Sequence, residues 1–474
     1  MKNRVDIVKE IKSKHLILLP NGGEIALNLE APKEVKKILQ SVGDNELQAY
    51  VLSEELKGQA KAEPPSISMM QQHELVGYEP ASDSGHFRMY PKGHMIFELL
   101  KDWAQEIAVE RLECLQIDSP VVYDWSDKEI QEQASSFHER HYLVKQPDSE
   151  KEFILRFAGD FGLFKIMKQA NFSHRMLPVR VYEFSKSFRY ERSGELSGLR
   201  RLRAFHMPDI HCFCKDLVQG WEEYQHLYRN YADLADAAGV AYAVGFRIVE
   251  EFYQVHKEKI VEMLRYSKRP AFIEVLSSMK HYWAVKHEFQ AIDSVGGNLQ
   301  LSTVQLDVKD AKVYGINYVD ADGEKKGCII CHSSIGSIER WMYAIFEEAF
   351  KKEKPELPLW LAPSQVRIIP VAEEYLPYCK SLAIEGVRWD IDDSNDSLGK
   401  KIAKAGKEWI PYVAIVGEQE IKAGKIMVNR RSNSSKEPLS IEELQKEVKE
   451  KCNGMPFRPL PVPRLVSLRP KFHG

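Results

Sequence analysis

One stretch, FRYERSGELSGLRRLRAFHMPDIHCFC at positions 188–214, constrains the fold of this chain more than any other. Strand-like residues stand on both sides of a loop that contains two glycines and three closely spaced arginines, so the stretch predicts two antiparallel strands joined by a ligand-binding loop. Arg189 and Glu191 are two residues apart and, on a strand, face the same side. The guanidinium groups of the arginines are suited to binding phosphates. The Glu191 carboxylate can accept a hydrogen bond from the amine of a nucleotide base, and the Phe205 ring can stack on that base.

A second pattern predicts an arginine at the N-terminus of a helix. The segment GCIICHSSIGSIERWMYAIFEEAFKK at 327–352 predicts a strand, a glycine turn and an amphipathic helix with Arg340 in its first turn. Helix N-termini favour anions. Upstream, GHMIFELLKDWAQEIAVERL predicts an amphipathic helix, and LECLQIDSPVVYD predicts a strand that is entered through Pro120.

The order of these patterns predicts three segments. Residues 1–62 alternate short helical and strand-like runs and predict a small N-terminal appendage, which a linker-like KGQAKAEPPS follows. Residues 63–355 predict an α+β block, a mostly antiparallel sheet with flanking helices. Residues 363–474 alternate strands with helices and predict a compact α/β domain.

Composition excludes several classes of protein. The chain has 474 residues, a net charge of −3 and a pI near 6.6, so a nucleic-acid partner would have to be held by local basic patches. The sequence has no stretch that predicts a membrane span and no signal peptide, which predicts a cytoplasmic protein without a membrane partner.

Seven cysteines form an odd, sparse set that argues against a disulfide framework. Cys212 with Cys214, and Cys328 with Cys331, suggest a four-cysteine zinc site. The alternative is that they are small buried apolar residues, because alternation along a strand turns Cys212 and Cys214 away from His211.

The order of helix, strand with Pro120, FRxE hairpin and GSIER helix resembles motifs 1, 2 and 3 of the class II aminoacyl-tRNA synthetases. GELSGLRRLRAFHMPD, together with QVRIIPV, WDIDDSNDSLGKKIAKAGKEWIPYVAIVGE and PFRPLP, is similar to the archaeal-type threonyl-tRNA synthetases. The resemblance covers residues 70–474. It implies a class II catalytic domain at 63–355, an anticodon-binding domain at 363–474, a homodimer, and ATP-dependent transfer of threonine to tRNA-Thr.

The resemblance also implies roles in ATP binding. Arg189 would bind the α-phosphate and, with Arg340, serve catalysis, while Glu191 would accept from the adenine amine. Phe205 and Arg340 would stack on the two faces of adenine. Arg201 and Arg203 would hold the phosphates, which carry Mg²⁺, and Gln300 would contact the ribose.

Threonyl enzymes of this family hold a zinc ion through Cys, His and His, which the resemblance implies here as well. His211 matches the second ligand, and Asp209 matches the carboxylate that meets the substrate amine. Asp160 stands in place of the cysteine, and the third position falls on Cys331, with His332 beside it. All four side chains are acceptable zinc ligands. The competing interpretation is a lost metal and an altered specificity. Further positions that match the substrate pocket are Gln305, Trp283 and Lys286.

A metal that the threonine hydroxyl must coordinate can reject valine, whereas serine also carries a hydroxyl. The family's N-terminal editing domain, which removes misattached serine, has no counterpart in the first 62 residues. We therefore expect editing by a separate protein in trans, or none. Two other functions stay open: a paralogue that activates another small amino acid such as serine, and a non-catalytic tRNA-binding protein.

Overall fold

The computed structural model describes residues 11–58, 64–135 and 141–473. Their contacts divide the chain into two compact units. The first unit takes the described residues of segments 1–63, 107–190 and 204–337, and the second takes those of segments 64–106, 191–203 and 338–474. No described helix combines the length and the apolar composition that crossing a membrane requires.

The strands follow the chain as β1 (Ser13–Leu18), β2 (Glu24–Leu27), β3 (Val76–Tyr78), β4 (Phe87–Met89), β5 (Leu115–Ile117), β6 (Val122–Asp124), β7 (Leu143–Lys145), β8 (Glu152–Leu155), β9 (Val179–Phe188), β10 (Ala204–Cys214), β11 (Ala243–Val249), β12 (Ala271–Leu276), β13 (Trp283–Ile292), β14 (Asn298–Asp307), β15 (Asn317–Val319), β16 (Lys325–Gly327), β17 (Ile329–Ser334), β18 (Val366–Pro370), β19 (Trp389–Ile391), β20 (Tyr412–Val416), β21 (Ile426–Arg430) and β22 (Lys436–Leu439).

The α-helices are α1 (Pro32–Val42), α2 (Asn45–Tyr50), α3 (Ser66–Gln72), α4 (Pro91–Gln105), α5 (Lys128–Ser135), α6 (Asp160–Gln169), α7 (Leu217–Ala237), α8 (Glu250–Ser267), α9 (Asp310–Tyr314), α10 (Ile338–Lys351), α11 (Leu376–Ser381), α12 (Leu398–Lys407), α13 (Glu418–Ala423) and α14 (Ile441–Lys451).

A ten-stranded sheet in the order β2-β1-β12-β11-β13-β14-β17-β10-β9-β5 dominates the first unit. Its pairs are antiparallel except β11 with β12 and β5 with β9. The predicted α+β class with a mostly antiparallel sheet is therefore confirmed. The predicted hairpin is also present, since β9 and β10 pair in register from Phe188 with Ala204 to Val179 with Phe213.

The described part of the N-terminal segment belongs to this sheet. Strand β1 pairs with β12, and β2 pairs with β1 at the sheet's edge. Ile17, Leu39 and Tyr50 are buried in one apolar cluster with Phe272 of β12. The expectation of a separate small appendage at 1–62 is corrected here, because the segment buries its apolar side chains against the sheet and needs no core of its own. Residues 1–10 and 59–62 of that segment lie outside the described residues.

The strand predicted at 112–124 is also corrected. Strand β5 pairs with β9 in the ten-stranded sheet, whereas β6 pairs with β8 in a separate three-stranded sheet. Pro120 lies between them. Proline has no amide to donate to a ladder, which is why it separates the two short strands.

The two faces of the ten-stranded sheet differ in chemistry. Strand register places His211 of β10 opposite His332 of β17, and His332 opposite Gln305 of β14, so these side chains share one face. The other face is covered by α7, which packs against β10, β14 and β17. The hydroxyl groups of Tyr231 on α7 and Ser333 on β17 are 2.6 Å apart. The polar face therefore lies on the side of the sheet away from α7.

The second unit holds α3, α4, α10, the β3–β4 hairpin, the 191–203 loop and a C-terminal sheet. Helix α10 packs on α4 and α3. The predicted apolar face of α4 is confirmed, since Ile96, Leu99, Leu100 and Trp103 are all buried. The C-terminal sheet runs β19-β18-β20-β21-β22, parallel in its first three strands, with helices packed on it. The predicted α/β domain is therefore present, while its boundaries stay predictions.

Candidate active site

Three predicted metal ligands meet on the polar face of the sheet. Asp160 begins α6, and His211 and His332 face each other across β10 and β17. Their ligand atoms lie within 4.8 Å of one another. Asp160 Oδ1 is 3.4 Å from His211 Nε2, and the two imidazole rings have their centroids 5.0 Å apart. The structure therefore brings one carboxylate and two imidazoles to a single point.

The surroundings of this cluster suit a cation. Burial raises the pKa of Asp160, but the hydrogen bond from His211 and the nearby charges of both imidazoles and Arg189 outweigh it and leave the pKa at about 2. Burial lowers the pKa of His211, against the effect of Asp160. His211 Nδ1 is buried without a hydrogen-bond partner, and Phe164 packs its ring edge against both imidazoles. The cluster thus offers an ionised carboxylate and two imidazoles, of which the His211 ring has a nitrogen without a hydrogen-bond partner. This set of ligands fits zinc.

Asp307 holds His332 in place, a role that the sequence analysis missed. Its Oδ2 is 2.7 Å from His332 Nε2, and its Oδ1 accepts the amide hydrogens of Lys309 and Asp310. The residue is only 1% exposed. Carboxylates in this position orient the imidazoles of metal sites. A signal existed, because Asp307 follows Gln305 by two residues on one strand and so faces the same side.

Cys331 does not join the cluster, and this corrects one of the two alternatives for the third ligand. It is the register partner of Cys212 and shares the α7 side of the sheet with Ser333. Burial raises the pKa of its thiol well above the ordinary value. Neighbouring residues on a strand face opposite sides, so only His332 can reach His211. Among the described residues no three cysteines bring their sulfur atoms within 4.8 Å of one another, so the four-cysteine site is not formed either.

Asp209 lies on the same face as His211. Its carboxylate accepts a hydrogen bond from Ser185 Oγ at 2.9 Å. Burial raises the pKa of Asp209 to about 8, and the Asp160 charge adds to that rise. Gly159 allows the loop that carries Asp160 to approach, because a Cβ there would lie 3.2 Å from Asp209 Oδ2 and 3.1 Å from Ser185 Cβ. A buried carboxyl of this kind is stabilised in its ionised form by an incoming ammonium group.

The remaining predicted substrate residues lie on β13 and β14. Gln305 Oε1 accepts a hydrogen bond of 2.6 Å from Tyr282, whose ring lies 5.4 Å from the His332 ring. Tyr282 is a second residue that the sequence analysis missed. Lys286, the register partner of Gln305, pairs with Glu288 at 2.5 Å. Trp283 is buried and stacks on His281, which is the core-packing arrangement that the sequence left open as an alternative.

The end of the β9–β10 hairpin carries Arg189 and Phe205. The Arg189 guanidinium lies over the Phe205 ring, 5.2 Å from its centroid, and its Nε donates to the Phe157 carbonyl. Gln300 lies further along the sheet on β14. An extra residue on β14 between Gln300 and Thr303 disturbs the pairing with β13, and such a bulge turns Gln300 to the face that carries Thr303 and Gln305.

The other predicted ATP residues belong to the second unit. Glu191 is buried, and its carboxylate lies 4.0 Å from the half-exposed guanidinium of Arg201. Arg340, in the first turn of α10, donates from Nε to the Arg200 carbonyl at 3.0 Å. The predicted glycine turn, helix and arginine of the third motif are thus in place, and Arg340 contacts the 191–203 loop.

Arg203 was predicted to hold phosphates, and its surroundings argue against that role. It is 4% exposed, and its guanidinium donates to Asp83 at 2.6 Å and to the Glu191 carbonyl at 2.9 Å. A guanidinium whose donors are used inside the protein is a poor phosphate ligand. Arg201 is the arginine of this pair that reaches the surface.

Helix α12 presents the basic face of the C-terminal sheet domain. Lys401 is buried and donates to the Asp392 carbonyl. Lys404 pairs with Asp396, whereas Lys400 and Lys407 are exposed on the helix surface. A local basic patch is the feature by which a chain of net negative charge can hold a polyanion.

Two protein families match the chain. The family described as "tRNA synthetase class II core domain (G, H, P, S and T)" matches residues 142–349, and the family described as "Anticodon binding domain" matches residues 365–451. Both ranges fall within the segments predicted for these two domains.

Curated relatives agree with these families. The chain is 42% identical to the threonine–tRNA ligase of Pyrococcus furiosus over 98% of its own length and 75% of that protein. It is 44% identical to the enzyme of the same name from Pyrococcus horikoshii over 88% of its own length and 68% of that protein. These relatives do not favour the paralogue or the non-catalytic binding protein.

Solved structures share the fold. The RNA-binding domain of threonyl-tRNA synthetase from Cryptosporidium parvum aligns with a TM-score of 0.72 at 22% identity, over 83% of this chain and 98% of that one. A prolyl-tRNA synthetase from the same organism aligns with a TM-score of 0.65 at 18% identity, over 81% of this chain and 77% of that one. At such identities the likeness establishes the fold.

Proposed function

This chain belongs to the threonine–tRNA ligases of the class II aminoacyl-tRNA synthetases, and on that premise we propose which of its residues bind threonine, ATP and tRNA. The enzyme activates threonine with ATP and transfers it to tRNA-Thr. The observation that carries the proposed pocket is the meeting of Asp160, His211 and His332 on one sheet face with Asp209. A cytoplasmic location is a prediction from this role in translation.

The reaction needs charge stabilisation and positioning rather than a general base. The carboxylate of threonine is already a nucleophile, so it attacks the α-phosphorus of ATP, pyrophosphate leaves, and threonyl-adenylate forms. A hydroxyl of the terminal adenosine of the tRNA then attacks the threonyl carbonyl, and AMP leaves. Arg189 would neutralise charge that develops on the α-phosphate, in a site where fixed cations cost no reorganisation. ATP enters with Mg²⁺, which carries part of the phosphate charge.

The motifs identify residues for ATP binding in each of the two units, and each unit is considered separately. Phe205, beneath the Arg189 guanidinium, would offer its ring to adenine, and Gln300 would meet the ribose. In the second unit Glu191 would accept from the adenine amine, and Arg201 and Arg340 would contribute cationic donors. Arg201 is suited to a phosphate because its guanidinium is half-exposed.

Threonine would be selected by the polar face of the sheet. The Asp209 carboxylate, which is buried and is hydrogen-bonded by the side chains of Ser185 and Ser334, would pair with the substrate ammonium. Zinc held by Asp160, His211 and His332 would supply open positions for the amine and hydroxyl of threonine. Tyr282 and Gln305 stand beside His332 and would close the pocket around the hydroxyl-bearing carbon.

Amino-acid-dependent pyrophosphate exchange with threonine, serine, valine and proline tests this assignment. Threonine should give the highest kcat/KM, serine a lower but measurable value, and valine a value near background, because valine has no hydroxyl for the pocket to bind. Asp209→Asn should raise KM for threonine at least tenfold, since it loses a charge-assisted hydrogen bond. Exchange with serine and none with threonine would refute the assignment.

Because serine should also be activated, we predict that a separate editing protein hydrolyses the resulting Ser-tRNA-Thr. The 474-residue polypeptide should form Ser-tRNA-Thr and should not deacylate it. Rapid loss of serine from purified Ser-tRNA-Thr on addition of this polypeptide alone would contradict that prediction.

We also propose a homodimer. The edge strand β5 exposes 61% of Leu115, and Val122 and Leu143 of the neighbouring three-stranded sheet are 45% and 50% exposed. Apolar side chains at an edge strand suit burial against a second copy. Sedimentation should give a dimer that Leu115→Asp weakens. Val255→Asp, at a 75% exposed position on α8, should leave it intact.

A further inference from the structure

The 191–203 loop is tied to the 79–88 segment through one buried guanidinium. Arg203 stands at the end of the loop, where its Nη1 donates to Asp83 Oδ1 at 2.6 Å and its Nε donates to the Glu191 carbonyl at 2.9 Å. Its Nη2 lies 3.5 Å from Ser193 Oγ. One side chain therefore joins both ends of the loop, and Asp83 holds that side chain from outside the loop.

The backbone adds a second tie at the same point. The Arg203 amide donates to the Gly85 carbonyl at 3.1 Å. Gly85 has a φ of +80°, and a Cβ at this position would lie 2.9 Å from the Arg203 amide nitrogen and 3.0 Å from Leu196 Cδ2. Only glycine fits this close approach of two backbones without strain. The loop and the 79–88 segment are thus in direct contact.

This arrangement has a consequence for Glu191. The carbonyl of Glu191 is fixed by Arg203, and its side chain is buried beside Arg201. This charge-assisted hydrogen bond holds the peptide plane that follows Glu191, and so restrains the backbone from which the Glu191 side chain extends. On the proposed function Glu191 is the acceptor for the adenine amine, so any change in its backbone changes how well adenine fits.

We propose that Asp83 and Arg203 are positioning residues for ATP, which hold the 191–203 loop in its nucleotide-binding conformation and do not themselves touch the phosphates. The inference rests on the proposed function of that loop. Asp83 lies far from the motif-2 stretch in the chain and reaches it only through the fold. The Asp83 side chain is 41% exposed, so a neutral side chain of the same size at this position opens no buried cavity.

The test is the dependence of threonine-dependent pyrophosphate exchange on ATP and on threonine, measured separately for Asp83→Asn. We expect KM for ATP to rise roughly ten- to hundredfold, since one charge-assisted hydrogen bond is lost, while KM for threonine stays within about twofold. Hydrogen exchange of the 191–203 amides without ATP should be faster in the variant. Asp83→Glu, which keeps the charge, should recover part of the affinity.

Glu79→Gln is the matched control. Glu79 lies in the same segment and pairs with Arg88 at 3.2 Å, and both side chains are 39% exposed. Its removal should change neither KM. Unchanged KM for ATP in Asp83→Asn, or an equal rise for ATP and threonine, would overturn the inference while leaving the ligase assignment in place. Absence of exchange in the unaltered protein would overturn both.

Discussion

His211 and His332 are direct partners across the antiparallel strands β10 and β17, with their rings 5.0 Å apart and inclined by 64°. The pairing register alone decides that His332, and not its neighbour Cys331, faces His211. The same register places Asp209 beside them, so the amino-acid pocket follows from how two strands align.

Metal content should depend on which side of β17 a residue faces. We expect the purified protein to hold about one equivalent of zinc, which Asp160→Ala, His211→Ala and His332→Ala should each release. Cys331→Ala should retain the metal, because that thiol lies on the opposite face. Elemental analysis after gel filtration, with the thermal shift caused by a chelator as a second readout, measures this.

Two further variants refine the metal prediction. Asp160→Cys should hold zinc more tightly than the unaltered protein, because thiolates are the softer ligands that zinc prefers. Asp307→Asn should weaken zinc binding by roughly 10- to 100-fold through the loss of the carboxylate that orients His332. Loss of zinc in the Cys331 variant with retention in the His332 variant would contradict the assignment.

Gly159→Ala should impair threonine binding while the protein still folds. The backbone of Gly159 has φ −76° and ψ −27°, which alanine adopts readily, so the difficulty is space. The added methyl would lie 3.2 Å from Asp209 Oδ2, and relieving that contact should displace the loop and raise KM for threonine. The stability cost should be about 1–3 kcal/mol. Exchange kinetics and thermal unfolding measure the two effects.

Gly399→Ala serves as the control for Gly159→Ala. A Cβ at Gly399, within α12, meets no atom within 4 Å. Alanine there should stabilise the helix by up to about 1 kcal/mol and leave KM for threonine unchanged. An equal effect of the two substitutions on threonine KM would show that the contact at Gly159 is unimportant.

Exposed lysines of α12 should matter for tRNA and not for adenylate formation. Lys400→Ala and Lys407→Ala should raise KM for tRNA in aminoacylation, and each should make the salt dependence of tRNA binding shallower by about one in log–log slope. Pyrophosphate exchange, which needs no tRNA, should be unaffected. Lys422→Ala, at an exposed position on α13, is the control. Salt slopes identical to that of the unaltered protein would contradict this role.

Acid should destabilise the second unit through His73. Burial against Trp409 and Phe346, with Lys92 nearby, lowers the pKa of His73 to about 4, below its ordinary value. Its neutral form is therefore favoured in the folded protein, and stability is lost as pH falls from about 6.5 towards 4, by at most about 3 kcal/mol. His73→Gln should reduce the drop in Tm between pH 7 and pH 5. A drop of the same size in both proteins would contradict the prediction.

Much of this architecture is visible in local patterns. The β9–β10 hairpin, the apolar face of α4 and the strand–turn–helix that carries Arg340 all appear where spacing and turn residues predict them. Local signals suffice there because each element is formed by residues close in sequence. The polar face of β10 was also predictable, since alternation alone turns Asp209 and His211 to one side.

Other features depend on contacts between distant segments. Arg203 looks like one more phosphate ligand until Asp83 and the Glu191 carbonyl are seen to occupy its guanidinium. The N-terminal strands look like an appendage until β1 is seen to pair with β12. Neither partner can be found by spacing, because the pairing is made between segments far apart in the chain.

The sequence by itself determined the residue types of the site: the arginines and phenylalanine of the hairpin, and the carboxylate and imidazoles available for a metal. Only the tertiary structure decided which of them meet. His332 and not Cys331 faces the other ligands, and Asp307 and Tyr282 lie beside them. The guanidinium of Arg203 is bound within the protein and is not a phosphate ligand. The physical reason is register: a one-residue slip between strands exchanges the two faces, and only burial of the apolar face against α7 selects one alignment.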